Sequence, residues 1–172
     1  MAKLKSFREL RVYQELRRLH LEVHKLSLTF PRFETYELGS QVRRSSNSAA
    51  ALLAEGWGSR HTNVYIEAIN RSMGESRETQ HHLDMAKEKG YITAERFTEL
   101  DAAYESCGRM LERLHQALSE WSGTTRTGNL VQEEQSVYGR RPRDWETAVQ
   151  ITEELDSLFT PNTQQLPSDT SL

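Results

Sequence analysis

The packing of this chain is decided by residues 41–56, which read QVRRSSNSAAALLAEG. Seven small residues, 45–51, stand in succession inside this stretch, and apolar residues flank them on both sides. At 100° per residue, one stripe of a helix contains Leu38, Val42, Ser45, Ala49, Leu52 and Leu53. Small side chains on a helix surface allow neighbouring helices to approach closely. The stretch therefore predicts a slender helix over which bulkier helices pack.

Three other segments repeat apolar residues at spacings of three and four, the pattern of an amphipathic helix. Together with the slender helix, the predicted helical segments are 6–30, 35–57, 62–90 and 93–121. Pro31 ends the first of them, because a proline disfavours helical geometry in the preceding residue. Leu10 and Leu21 lie off the apolar stripe of that helix, which indicates a second apolar contact. Long helices with short connections favour antiparallel neighbours, so we predict an all-α, antiparallel up-down-up-down four-helix bundle.

The composition changes after Trp121, and a C-terminal extension with one short extra helix is predicted there. Residues 122–129 are rich in Gly, Thr and Ser, which is typical of a linker. The predicted divisions are a bundle over 1–121, a flexible linker over 122–143, a short amphipathic helix over 144–159 and a disordered tail over 160–172.

The extra helix carries an apolar face that consists of Trp145, Val149, Leu155, Leu158 and Phe159. A lone helix of this length is marginal in water. It therefore either docks on the bundle or binds a partner, and the sequence leaves both alternatives open.

Composition excludes several classes of protein. The chain has 172 residues, of which 36% are hydrophobic and 27% charged, and a net charge of −3. It contains no apolar run of about eighteen residues, so no membrane span is predicted. The first residues are not followed by an apolar segment, and the single Cys107 rules out an internal disulfide. We expect a cytoplasmic protein.

The basic residues are concentrated in the first third of the chain, where residues 1–60 contain eleven Lys and Arg against six Asp and Glu. This excess is smaller than the excess that a dedicated nucleic-acid-binding domain carries. The candidate contacts to a charged partner are Arg43 and Arg44, joined by Arg17 and Arg18. If several copies surround an axis, these residues become a positive ring for phosphates. In the alternative, Arg43 pairs with Glu55 or Glu78 across an interface between copies.

Two Glu-x-x-His motifs, Glu78 with His81 and Glu112 with His115, have the spacing that di-iron bundles use. Antiparallel pairing of the third and fourth helices sets residue 78 beside about residue 105. Glu112 then lies roughly 10 Å further along the helix. We therefore predict no shared metal site.

The remaining candidates for chemistry also have simpler interpretations. His20 and His24 stand one helical turn apart, and we interpret them as residues at the border of the core rather than as a metal-binding pair. Cys107 falls in the apolar stripe of the fourth helix and is interpreted as a small buried hydrophobe. No phosphate-binding glycine loop, nucleophile elbow or zinc spacing is present. The sequence predicts no enzyme activity, no cofactor and no bound metal.

Four groups of residues, in order along the chain, carry a resemblance to a known family. They are Phe7, Leu10, Val12, Tyr13 and Gln14; Gln41, Arg43, Arg44, Ser48 and Ala54-Glu55-Gly56; Ile66, Gly74, Glu78, Leu83 and Ala86; and Gly90-Tyr91-Ile92. Over roughly residues 6–120 the chain resembles the bacterial four-helix-bundle family whose first members were read from intervening sequences inside large-subunit ribosomal RNA genes.

The chain departs from the usual pattern of that family in three places. Leu52-Leu53 stands where members usually have Asn-Ile, Gly74-Glu75 stands where they tend to have Gly-Ser, and the segment beyond Trp121 has no usual counterpart. The resemblance implies a non-enzymatic protein that assembles as a symmetric ring, with a homopentamer as the known form. It also implies a distant likeness to the accessory proteins of diversity-generating retroelements, which bind nucleic acid and a reverse transcriptase.

Two functions are therefore expected. The first is an oligomeric scaffold that binds a protein partner or its own copies through its helix faces and the C-terminal helix. The alternative is a nucleic-acid-binding accessory protein, which binds RNA or DNA through the arginine ring and acts beside a reverse transcriptase.

Overall fold

The computed structural model of the chain describes residues 5–59, 61–128 and 143–158, with side chains described for 5–59, 61–120 and 147–156. Five α-helices lie in these ranges: α1 (Arg11–Ser27), α2 (Leu38–Gly56), α3 (Thr62–Glu88), α4 (Ala94–Gly128) and α5 (Arg143–Leu158). Short 3-10 turns at Phe7–Glu9 and Arg32–Thr35 precede α1 and α2. The described residues form no strand, so the predicted all-α class is confirmed.

Consecutive helices of the bundle are antiparallel. Between α2 and α3, the hydroxyl oxygens of Ser45 and Thr79 lie 2.9 Å apart, and Ser72 donates a hydrogen bond of 2.6 Å to the carbonyl of Ala49. The residue number therefore falls along α3 as it rises along α2. The contacts between α1 and α2 and between α3 and α4 follow the same rule, in the pairs His20–Ser46, Ser27–Arg43, Gln80–Asp101 and Lys87–Phe97.

The slender helix packs as its composition suggests. Ser45 and Ala49 are fully buried on α2, and Gly56 at its end lies against α3 so closely that a Cβ there would be 2.4 Å from the Cβ of Ala68. Bulky side chains from the other helices fill the core, with Tyr65 and Tyr104 the largest that are fully buried. Small residues on α2 thus leave the volume that these rings occupy.

The helix bounds differ from the sequence-based ones at both ends of α1, at the start of α2 and at the end of α4. α1 begins at Arg11, because Ser6 caps the first 3-10 turn by accepting a hydrogen bond from the amide of Arg8. α4 continues to Gly128, so residues 122–128 of the predicted linker are helical. Arg143, the last residue of the predicted linker, begins α5, while residues 129–142 and the predicted tail lie outside the described residues.

The turn between α3 and α4 contains a glycine with a positive φ. Gly90 follows α3 with a φ of 71°, a left-handed conformation that residues with a Cβ rarely adopt.

None of the helices in the described part of the chain is long and apolar enough to cross a membrane.

Candidate interaction surfaces

The Arg43 side chain forms hydrogen bonds within the subunit. Its guanidinium donates one hydrogen bond of 2.7 Å to the carbonyl of Thr35 and another of 3.1 Å to the hydroxyl of Ser27. It therefore ties the end of α1 and the second 3-10 turn to α2. Within the subunit these contacts engage Arg43. Its pairing with Glu55 or Glu78 across an interface between copies stays a prediction.

Arg44 is the arginine that lies near an acidic residue. Its side chain is 71% exposed, and its Nη2 lies 3.8 Å from Oε1 of Glu78, which also lies 3.4 Å from Nε2 of His82. An ion pair this long and this exposed contributes little stability. Glu55 is exposed near the end of α2.

The two arginines predicted on α1 differ in their surroundings. Arg18 contacts both Glu15 and Glu22, and its hydrogen bond to Glu15 raises the pKa of its guanidinium. Arg17 is exposed. Of the four predicted arginines, Arg18 and Arg44 therefore lie beside carboxylates.

Glu34 forms a buried polar cluster that the sequence did not indicate. Its residue is only 4% exposed, and its carboxylate accepts hydrogen bonds from Nζ of Lys89 at 2.8 Å, the hydroxyl of Tyr91 at 2.9 Å and the amide of Leu38 at 3.1 Å. The hydrogen bond from Lys89 lowers the pKa of the Glu34 carboxyl. The carboxylate joins the start of α2 to the turn after α3. Its side-chain partners are 55 and 57 residues away, so the sequence does not show that they meet.

Four large hydrophobic side chains in the second half of α1 and in the connection to α2 are exposed, and we call them the α1–α2 patch. Its members are Leu21 (49% exposed), Leu28 (65%), Phe33 (71%) and Tyr36 (86%). Among the described residues, Val64 is the remaining large hydrophobic residue with high exposure. Leu21 and Leu28 are seven residues apart and therefore share one face of α1. The off-stripe position of Leu21 was the sequence signal for this patch.

The described part of α5 docks on the bundle. Val149 is buried, Leu155 packs partly buried against the core, and Asp156 accepts a hydrogen bond of 2.8 Å from the amide of Arg11. Val149 is therefore covered by the chain itself and Leu155 is covered in part, while their role in binding a partner stays a prediction. The side chains of Trp145 and Leu158, and Phe159 as a whole, lie outside the described residues.

The histidines, the glutamate and the cysteine considered for metal binding or nucleophilic chemistry are either exposed or packed against the bundle. Nδ1 of His20 lies 2.9 Å from the hydroxyl of Ser46, and burial lowers the pKa of the imidazole. His81 and Glu112 are exposed on separate helices. Within the described ranges, no group of three or more His, Cys, Asp or Glu residues could hold a metal ion. Burial raises the pKa of the Cys107 thiol to about 12, so the thiol stays protonated at neutral pH.

The chain matches a known protein family. A family model described as "23S rRNA-intervening sequence protein" matches residues 8–113. The matched range contains α1, α2, α3 and the first part of α4, and it excludes α5. Comparison with curated proteins gives no match.

Proposed function

The chain belongs to the 23S rRNA-intervening sequence protein family, and from this premise we propose that it is a non-enzymatic scaffold that associates with its own copies through the α1–α2 patch. The homopentamer implied by the family resemblance stays a prediction.

The observation that carries this proposal is the concentration of exposed apolar side chains in one short part of the chain. Four of the five large exposed hydrophobic residues in the described ranges lie between positions 21 and 36. Exposed apolar side chains that share one surface mark an interaction site more often than scattered single residues do. Phe33 and Tyr36 are also of the type that contributes most to interfaces, because a rigid ring buries much area at low entropic cost.

The backbone beneath the patch is fixed, which favours binding. Phe33 precedes Glu34, whose carboxylate is anchored by three hydrogen bonds, and Tyr36 follows Thr35, whose carbonyl is held by Arg43. A surface that is ordered before binding loses less conformational entropy when a partner covers it. Arg43, a candidate contact predicted from the sequence, thus fixes the backbone next to Tyr36 by its hydrogen bond to Thr35.

The nucleic-acid alternative draws less support from the geometry. A positive ring requires free cationic groups, but Arg43 is engaged inside the subunit and Arg18 lies between two carboxylates. Retention of RNA that declines with salt, and that is lost in an Arg17→Ala and Arg44→Ala variant, would favour this alternative.

The native mass in solution tests the scaffold proposal. We expect wild-type protein to sediment well above the 19.9 kDa of one subunit. In a Phe33→Ser and Tyr36→Ser variant, the dissociation constant of the oligomer should rise at least about thirtyfold, because one interface aromatic contributes about 2 kcal/mol of binding free energy. Val64→Ser is the matched control, since Val64 is 51% exposed but lies outside the patch.

Two results would contradict the proposal. One is wild-type protein that stays a single subunit at high concentration. The other is a patch variant whose mass equals that of wild type, provided that its circular dichroism shows an unchanged helix content.

A further inference from the structure

The turn between α3 and α4 brings two side chains to the buried Glu34 carboxylate. Gly90 takes its left-handed φ directly after Lys89, and the amide of Tyr91 donates a hydrogen bond of 2.8 Å to the carbonyl of Ala86. These features close the end of α3 as a glycine C-cap does. Nζ of Lys89 and the hydroxyl of Tyr91 both donate to Oε1 of Glu34, at 2.8 and 2.9 Å. The conformation of this turn therefore sets the position of both donors.

We call Glu34, Lys89 and Tyr91 the Glu34 cluster, and its negative charge is balanced by Lys89. The Glu34 side chain is 5% exposed, whereas that of Lys89 is 46% exposed. A buried carboxylate without a counter-charge is costly, because it has lost its hydration. If Lys89 lost its charge, the Tyr91 hydroxyl and the Leu38 amide, which are neutral donors, would remain. The charge of a half-exposed lysine thus stabilises a carboxylate inside the protein.

Glu34 lies in the 3-10 turn before α2, between two aromatic residues of the α1–α2 patch. Phe33 precedes it, Tyr36 follows two residues later, and both rings are strongly exposed. Rings this exposed gain little support from packing, so their position depends on the backbone that carries them. That backbone is bound through the Glu34 side chain and by the hydrogen bond from Arg43 to the carbonyl of Thr35.

We propose that the Glu34 cluster sets the position of Phe33 and Tyr36, so that the charge of Lys89 determines whether this part of the α1–α2 patch is ordered. Lys89 is thus a positioning residue, which lies outside the patch and acts on it through Glu34. Without the ion pair the turn opens locally, while Arg43 and the bundle core hold the rest of the chain. The consequence for association rests on the proposed function, since an ordered patch binds a second copy at a lower entropic cost.

Cleavage of the full chain by chymotrypsin, which cuts after aromatic residues, tests the Glu34 cluster. A protease needs several residues of extended backbone, so a hydrogen-bonded turn is protected even where its side chains are exposed. Lys89→Gln should speed cleavage after Phe33 and Tyr36 at least about tenfold, because the unpaired carboxylate raises the population of the open turn. Cleavage after Tyr104, which is buried in the core, reports global unfolding and should not rise.

Three variants separate the effect of charge from that of shape. Lys89→Arg keeps the charge and should return the cleavage rate most of the way to that of wild type. Glu34→Gln combined with Lys89→Gln should be cleaved more slowly than Lys89→Gln alone, because a buried amide costs less than an unpaired buried carboxylate. Lys87→Gln is the matched control and should keep the wild-type rate, since Lys87 pairs with Asp84 and Glu88 on its own helix.

A wild-type cleavage rate in Lys89→Gln would overturn the inference. An equal rise in Lys87→Gln, or an equal rise after Tyr104, would also overturn it, because the effect would then not belong to the Glu34 cluster. If circular dichroism shows that Lys89→Gln does not fold, Tyr91→Phe takes its place, since it removes one hydrogen bond to Glu34 and keeps the ring beside Phe30. A rise of about threefold is then expected, and an unchanged rate would overturn the inference.

Sedimentation of the same variants separates this inference from the scaffold proposal. The dissociation constant of the oligomer should rise in Lys89→Gln and fall back in Lys89→Arg. Faster cleavage with an unchanged dissociation constant would overturn the link between the Glu34 cluster and association, and would leave the scaffold proposal standing. Wild-type protein that stays a single subunit would overturn the scaffold proposal and that link, whereas the cleavage rates would still decide whether the cluster orders the turn.

Discussion

Substitution of Gly56 tests the close approach of α2 and α3 most directly. A Cβ at this position would lie 2.4 Å from the Cβ of Ala68 and 3.2 Å from Cδ2 of Tyr65. The Tyr65 ring is fully buried and cannot turn away into solvent. Gly56→Ala therefore forces α2 and α3 apart at this end of the bundle, where the chain reverses between them.

The magnitude follows from two opposed effects. Overpacking of a well-filled core costs typically 1–3 kcal/mol, and a contact of 2.4 Å belongs at the upper end of that range. Replacement of glycine by alanine in a helix gains up to about 1 kcal/mol, and less at the last helical residue. We expect Gly56→Ala to lower the free energy of unfolding by about 2 kcal/mol. For a chain of this size that corresponds to a fall in Tm of about 4–8 °C.

Two other glycines provide the control. Gly74 and Gly108 lie inside α3 and α4, and a Cβ at either position would meet no heavy atom within 4 Å. Alanine at these positions should raise the free energy of unfolding by roughly 0.5–1 kcal/mol. Urea denaturation followed by circular dichroism measures all three variants. A Gly56→Ala protein as stable as the two control variants would refute the close approach of α2 and α3.

Three further predictions concern buried polar groups. The pKa of the Glu34 carboxyl is lowered in the folded protein, so its carboxylate stabilises the fold above the ordinary pKa, and this stabilisation is lost as the pH falls through the lowered pKa. Glu34→Gln should therefore flatten the acid side of a plot of the urea midpoint against pH. An unchanged slope would contradict this. Thr79→Val removes the contact to the Ser45 hydroxyl and should lower the free energy of unfolding by about 1 kcal/mol, as measured by urea denaturation. An unchanged free energy of unfolding would show that the contact contributes nothing. Cys107 should react with a thiol reagent only after denaturant opens the bundle, since burial raises its pKa to about 12, and rapid reaction of native protein would contradict its burial.

The sequence could show the fold because the relevant signals are local. The small residues of 45–51 and the apolar spacing along α4 set which helix is slender and which face of each helix is buried. Those patterns depend only on the geometry of a single helix. They predicted the four helices of the bundle and the short helix near the C-terminus.

The residues of the candidate surfaces were less predictable, because their roles depend on partners that are distant in sequence. Arg43 and Arg44 are neighbours and chemically identical, yet Arg43 holds the connection before α2 while Arg44 is exposed beside Glu78. One step along a helix rotates a side chain by 100°, and only the packing of the neighbouring helices decides which of the two is engaged inside the subunit.

The amino-acid sequence by itself thus determined a bundle of amphipathic helices, the close approach that small residues permit, and membership of a helical family. Only the tertiary structure decided that the Glu34 carboxylate is buried against Lys89 and Tyr91, that Asp156 caps α1, and that apolar side chains remain uncovered around the connection between α1 and α2. The reason is physical. Periodicity records the preferences of one helix, whereas a hydrogen bond between distant residues, or an apolar surface left open, exists only after the helices have packed.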